Sequence, residues 1–143
     1  MKWLFAILLL VCPLAAAAQT QQDYMQAMAR FMSYYNGGDT NKLCRMFRRE
    51  VRQQFCGWPK ERLEEYGKIS SQEFVGIDSL SKSANPVRVF RIRHSHAGVK
   101  AMSFSLNKNP AATTDSAEPA YLFGTYSFID ATPRIERMVE LAK

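Results

Sequence analysis

Apolar positions follow different spacings along this chain, and each spacing predicts a different element. Residues 3 to 14 form one unbroken apolar run, Trp3 to Leu14, that follows the positive charge of Lys2. The run contains Pro13 and gives way to Ala15, Ala16, Ala17 and Ala18. A charged start, an apolar middle and small residues at the end are the parts of a secretory signal peptide. Ala16 and Ala18 meet the small-x-small requirement, which predicts cleavage after Ala18. A spanning helix needs about 20 apolar residues, and this run is shorter and broken by proline. A lipidated Cys12 would need a small residue before it, where Val11 stands. The chain is therefore expected to be periplasmic or secreted and not membrane-spanning, with residues 1–18 as leader and 19–143 as one domain.

Beyond the leader the spacing becomes helical. Tyr24, Met25, Met28, Phe31, Met32 and Tyr35 recur every three or four residues, which predicts a helix over 22–35 with one apolar stripe. Asn36-Gly37-Gly38 should end it, and Asp39 or Thr40 should cap a second helix. On that second helix Leu43, Met46, Phe47 and Val51 make the buried stripe. Arg45, Arg48, Arg49 and Arg52 then fall within an arc of roughly 100° on the other side. Residues 60–66, after Pro59, predict a short third helix.

From Gly67 the period drops to two. Residues 69–77 alternate weakly and 87–94 clearly, with Arg88, Phe90, Ile92 and His94 on one face and Val87, Val89, Arg91 and Arg93 on the other. Residues 99–106 place Lys100, Met102, Phe104 and Leu106 together, and Ala97-Gly98 reads as a tight hairpin before them. The aromatic stretch 121–129 predicts a fourth strand. Loops are expected over 79–86 and over 107–119, the second long enough to act as a flap. Residues 134–142 suit a short helix or a frayed tail. Helices first and then an antiparallel meander is an α+β order, with two or three helices on one face of a curved sheet of about four strands.

Composition narrows the partners. Removing the leader leaves about 125 of the 143 residues, enough to bury a core without a disulfide scaffold. The net charge of +6 favours anionic partners, and export makes nucleic acid the least suited of them. Of three cysteines, Cys12 leaves with the leader, so Cys44 and Cys56 become a candidate disulfide. On one straight helix they would stand about 18 Å apart, so a bridge requires the helix to stop early and the chain to fold back. Two separately buried thiols are the alternative.

Several short motifs resemble the nuclear transport factor 2-like (cystatin-like) superfamily, and most closely its small exported bacterial domains of unknown function. They are Tyr34-Tyr35-Asn36-Gly37-Gly38-Asp39, then Leu43 with Met46-Phe47, then Tyr66-Gly67-Lys68-Ile69. Similar domains also stand ahead of serine hydrolases in longer proteins. The resemblance covers most of the mature chain and implies a cone, a sheet curled around helices and enclosing a pocket. It also leaves a homodimer open, since dimers are common for the fold. Members include isomerases and dehydratases as well as non-catalytic binding modules, so fold analogy does not assign an activity.

The chemistry-bearing residues are few. Gly-x-Ser-x-Gly and Gly-rich phosphate loops are absent from the sequence. His94 and His96 share a strand face at a spacing that could hold a metal, but no third ligand stands close in sequence, and a solvated strand end is the expected role. No metal or other cofactor is expected. An isomerase or lyase of this fold would use Glu73, Asp78 or Asp130 beside a tyrosine such as Tyr121 or Tyr126. The expected pocket lining is Phe90, Ile92, Met102, Phe104, Tyr121 and Tyr126. Arg45, Arg48, Arg49 and Arg52 are the candidates for an anion or a partner, because the guanidinium fork suits carboxylate and phosphate. Arg88, Arg91, Arg93 and Lys100 add charge to the central hairpin, and nearby glutamates offset part of it. The sequence thus points to an exported, non-catalytic domain that binds a small molecule or an envelope protein. A carboxylate-dependent isomerase or lyase is the second reading, and docking on the envelope through the arginine face is the third.

Overall fold

A computed structural model describes residues 19–55, 57–113, 118–128 and 132–142. The leader with Cys12 and its cleavage site lies outside the described residues, as do Cys56, residues 114–117 of the long loop, Ile129 and Asp130.

Helix α1, Gln21–Asn36, starts at a reciprocal cap. The Thr20 hydroxyl accepts from the Asp23 amide, and the Asp23 carboxylate accepts from the Thr20 amide at 2.7 Å. Tyr24, Met28, Phe31 and Tyr35, each about one turn from the next, are all buried. The helix ends as its glycines predict, with Gly38 at a φ of 66°. The Asp39 carboxylate then caps a second helix, α2 (Thr40–Arg45), by accepting from the Lys42 amide at 3.0 Å.

Four strands follow a short helical stretch: β1 Ile69–Asp78, β2 Val87–His94, β3 Gly98–Lys108 and β4 Tyr121–Phe128. They form one antiparallel meander in the order β1-β2-β3-β4. The inner face carries Phe90, Ile92, Met102, Phe104 and Leu106 against α1. At the sheet's open edge, Asn36 sets its amide against Ile69. Nδ2 donates to the Ile69 carbonyl and Oδ1 accepts from the Ile69 amide, both at 2.8 Å.

Two expectations are corrected. The second helix does not run through the arginines. Helix α2 is only Thr40–Arg45, followed by a 3-10 turn over Arg49–Val51, a helical turn α3 at Arg52–Phe55 and helix α4 over Trp58–Tyr66. The cause lies in the Met46–Arg48 backbone, which pairs with β4. The Phe123 amide donates to the Met46 carbonyl at 2.7 Å, and the Arg48 amide donates to the Phe123 carbonyl at 3.2 Å. This lets the Phe47 ring meet Phe123 and Tyr126 edge-on at 5.2 and 5.0 Å. Of the expected stripe Leu43, Met46 and Phe47 are buried and Val51 is half-buried, but the four arginines no longer share one helix.

The second correction concerns the covered faces. Residues 133–141 form a true helix, α5, that packs on the sheet face opposite α1. Ile135 and Val139 join Val89 and Ala101 in a smaller cluster there, with Val75 and Met138 at its margin. Both faces of the sheet are therefore covered, not one.

Candidate functional site

The expected pocket lining is packed rather than hollow. Phe90, Ile92, Met102 and Phe104 are wholly buried. Phe90 stacks on Phe104 at 5.3 Å, and Phe104 meets Phe123 at 4.5 Å. Tyr126 stacks on Phe123 at 5.7 Å, and burial pushes its phenol well above the ordinary value. Tyr121 is half-buried and flanks a small indentation beside Arg30 and Met46.

The carboxylates of an isomerase are engaged elsewhere. Asp78 is buried, accepts from Arg134 at 2.9 Å and binds the Leu80 amide, tying the end of β1 to α5. Glu73 accepts from Arg91 at 2.8 Å on the same outer face. Neither stands beside an interior tyrosine or histidine, and Asp130 lies outside the described residues.

His94 is not a solvated strand end. It is 3 % exposed and packs against Tyr35 and Tyr66, with ring centroids 5.9 Å away in both cases. Its Nδ1 lies 3.2 Å from the Gly67 carbonyl, which also accepts from the Tyr35 hydroxyl at 3.2 Å. A carbonyl only accepts, so the proton is assigned to Nδ1. Burial lowers the His94 pKa, and the bond to Gly67 opposes that shift. Gly67 sits at a φ of 76°, and a Cβ there would run into the Ser95 hydroxyl. His96 is exposed in the hairpin, so the two histidines do not face one ligand. Among the described residues, no group of three or more His, Cys, Asp or Glu side chains could hold a metal.

The basic residues divide. Arg48 pairs with Glu50 at 3.4 Å, and Arg52 Nε donates to the Phe47 carbonyl at 3.0 Å, holding the turn after α2. Arg49 is exposed on the 3-10 turn. Arg45 lines a cleft, about 230 Å³, between α1, α2 and the end of the long loop. Arg30 and Tyr34, one turn apart on α1, form one side, and Lys42 and Arg45 on α2 the other. Met46 and Pro119 give it an apolar floor, and Glu118 stands at the rim. Asn109 fixes that rim, since its amide donates to the Ala120 carbonyl at 2.9 Å and its Nδ2 to the Pro119 carbonyl at 2.8 Å.

Charge in this cleft is uneven. Lys42 pairs with Asp39 at 3.4 Å and lies 5.6 Å from the centre of the Tyr34 ring. The Lys42 amide, and then its ammonium, hold the Asp39 carboxyl below the ordinary value. Arg30 and Arg45 have no ion-pair partner among the described residues. Comparison with protein-family models, with curated proteins and with solved structures finds no match for this chain. The site is therefore read from its own geometry. Sequence reasoning missed Arg30, Tyr34, Lys42 and Glu118. Arg30 and Tyr34 were detectable as an i, i+4 pair off the apolar stripe of α1, but the fold was needed to bring Glu118 to them.

No helix among the described residues is long and apolar enough to cross a membrane.

Proposed function

We propose that this chain is an exported, non-catalytic binding domain of the nuclear transport factor 2-like type, which holds an anionic ligand or partner group at the α1–α2 cleft. The observation that carries the reading is the pair of guanidiniums, Arg30 and Arg45, that line one cleft with no carboxylate in ion-pair contact among the described residues, Glu118 standing at the rim and Asp39 feeling Arg45 only from farther off. A carboxylate or phosphate between them gains charge-assisted hydrogen bonds worth about 1.5–3 kcal/mol each. Met46, Pro119 and Tyr34 offer apolar contact to the body of the same ligand. The cleft is smaller than the roughly 300–1,000 Å³ of drug-sized sites, which suits a small polycarboxylate, a phosphate ester or one acidic side chain of a partner.

The family reading draws its support from the order of helices followed by a meander and from the long α1 against the inner face. The engagement of Glu73 and Asp78 in ion pairs leaves the isomerase reading without either of them. Calorimetric titration with citrate and with inorganic phosphate tests the site. Binding of at least one should weaken about tenfold or more in Arg30→Ala and again in Arg45→Ala. Unchanged affinity in both variants, or no binding of either anion at about 10 mM, would reject the site.

Export and the Cys44–Cys56 bridge belong to the same proposal. The bridge needs the second helix to stop early, and α2 does end at Arg45. Cys56 lies outside the described residues. Intact-mass measurement of the protein collected outside the cytoplasm, before and after reduction, reads both points at once. A chain beginning at Gln19 that gains two hydrogens on reduction is expected. An uncut chain speaks against the leader, and a mass unchanged by reduction speaks against the bridge.

A further inference from the structure

The face covered by α5 holds a larger cleft, about 530 Å³, that the proposal above does not use. Its sheet wall is built from the outward residues of β2 and β3. The register sets Arg91 opposite Ala101 and Arg93 opposite Val99, so all four point toward α5. Lys100, between Val99 and Ala101, also borders the cleft, but its ammonium lies 5.6 Å from the centre of the Tyr66 ring. The helix wall carries Glu136 and Glu140, one turn apart, with Val139 between them.

The two walls differ in charge. Arg91 is committed to Glu73 and to the Val139 carbonyl, at 2.8 and 2.9 Å, and so fastens helix to sheet. Arg93 has no ion-pair partner among the described residues, and neither have Glu136 and Glu140. Helix α5 also has no basic side chain in its last turn. The partial negative charge of its terminal carbonyls therefore adds to that of the two glutamates. One wall is positive, the other negative, and the floor of Val99, Ala101 and Val139 is apolar.

We infer that this cleft is a second binding site, for a zwitterion with an apolar body: an amino acid or short peptide with both termini free. Its carboxylate meets Arg93, which can bind it with two parallel hydrogen bonds. Its ammonium meets Glu136, Glu140 and the end of α5. A purely anionic ligand would be repelled by the two glutamates and a purely cationic one by Arg93. The volume falls within the range of small-molecule sites. No covalent step is involved, and the inference stands independently of the α1–α2 cleft.

The test is a chemical-shift titration of the chain from Gln19 with trialanine, N-acetyl-trialanine and trialanine amide. The free tripeptide should shift the amides of Val99, Ala101 and residues 139–142, and each blocked form should bind about tenfold more weakly or worse. Arg93→Glu should remove the preference for a free carboxylate. The double variant Glu136→Gln with Glu140→Gln should remove the preference for a free amine. These side chains make no hydrogen bonds within the described fold, and circular dichroism of each variant checks that the fold is kept. Equal binding of all three peptides, or no shift at these amides at about 10 mM, overturns the inference. Loss of tripeptide binding in Arg30→Ala also overturns it, by placing the ligand in the other cleft.

Discussion

The two faces of the sheet bury very different material. Toward α1 lie Phe31, Phe90, Phe104 and Phe123 with Tyr24 and Tyr35, in ring-to-ring contact and wholly out of water or nearly so. Toward α5 lie four small or β-branched residues, Val89, Ala101, Ile135 and Val139, surrounded by arginines and carboxylates. Hydrophobic stabilisation follows the apolar area removed from water, so the first face dominates stability. The second face holds its helix with a few apolar contacts and charged clamps, and that leaves room for a cleft. A packed aromatic core and an open cleft are competing uses of the same strands. Here the pleat separates them, because successive residues of β2 and β3 serve opposite faces.

The strongest test of that contrast is truncation on each side. Phe104→Ala should cost about 3–5 kcal/mol, since it removes a ring that touches Tyr24, Phe90 and Phe123. Val139→Ala removes two methyl groups from a thinly covered cluster and should cost about 1–2 kcal/mol. Urea denaturation measures both. Equal losses would abolish the distinction between the faces.

A finer test concerns pH. His94 belongs to the aromatic face, and burial lowers its pKa. The unfolded chain takes up that proton near the ordinary imidazole value of about 6.5, while the folded chain resists it until lower pH. The unfolded state therefore holds more protons in this window, and stability falls as the pH drops. The contribution is fully present above the ordinary value and drains away as pH passes through the lowered one. Urea midpoints recorded downward from pH 8 should decline in the native chain and flatten in His94→Gln over that window. The same slope in both would place the titrating group elsewhere.

Local spacing carried the elements that rest on near neighbours. The stripe of α1, the alternation of β2 and β3 and the glycine stop at Gly38 all follow from residues within a few positions of one another. The break after Arg45 does not. Met46, Phe47 and Val51 lie at helical spacing, and only pairing with Phe123, more than seventy positions onward, pulls their backbone out of the helix. His94 looked solvated because its partner carbonyl belongs to Gly67, on the far side of β1. Of the α1–α2 cleft, the sequence singled out only Arg45 as a binding candidate. Its other walls come from α1, where polar residues off the stripe look like ordinary surface, and from a rim that Asn109 holds. Asp78 and Glu73 were visible as carboxylates, but their arginine partners were not: Arg134 needed α5 to be placed on the outer face, and Arg91 needed the β1–β2 register.

The Asn36 amide, set against Ile69, has a consequence for how molecules of this chain meet one another. A strand at the margin of a sheet offers unsatisfied donors and acceptors to any extended segment that drifts past, and that is how ordered proteins begin to associate wrongly. Asn36 presents to Ile69 the donor and the acceptor that an intruding strand would bring. The irregularities between Ile69 and Ser71, and between Phe74 and Gly76, then keep the rest of the border from lying straight. One carboxamide at the foot of a helix thus acts as a stopper, closing the end of the border where a templated stack of chains would otherwise start to grow.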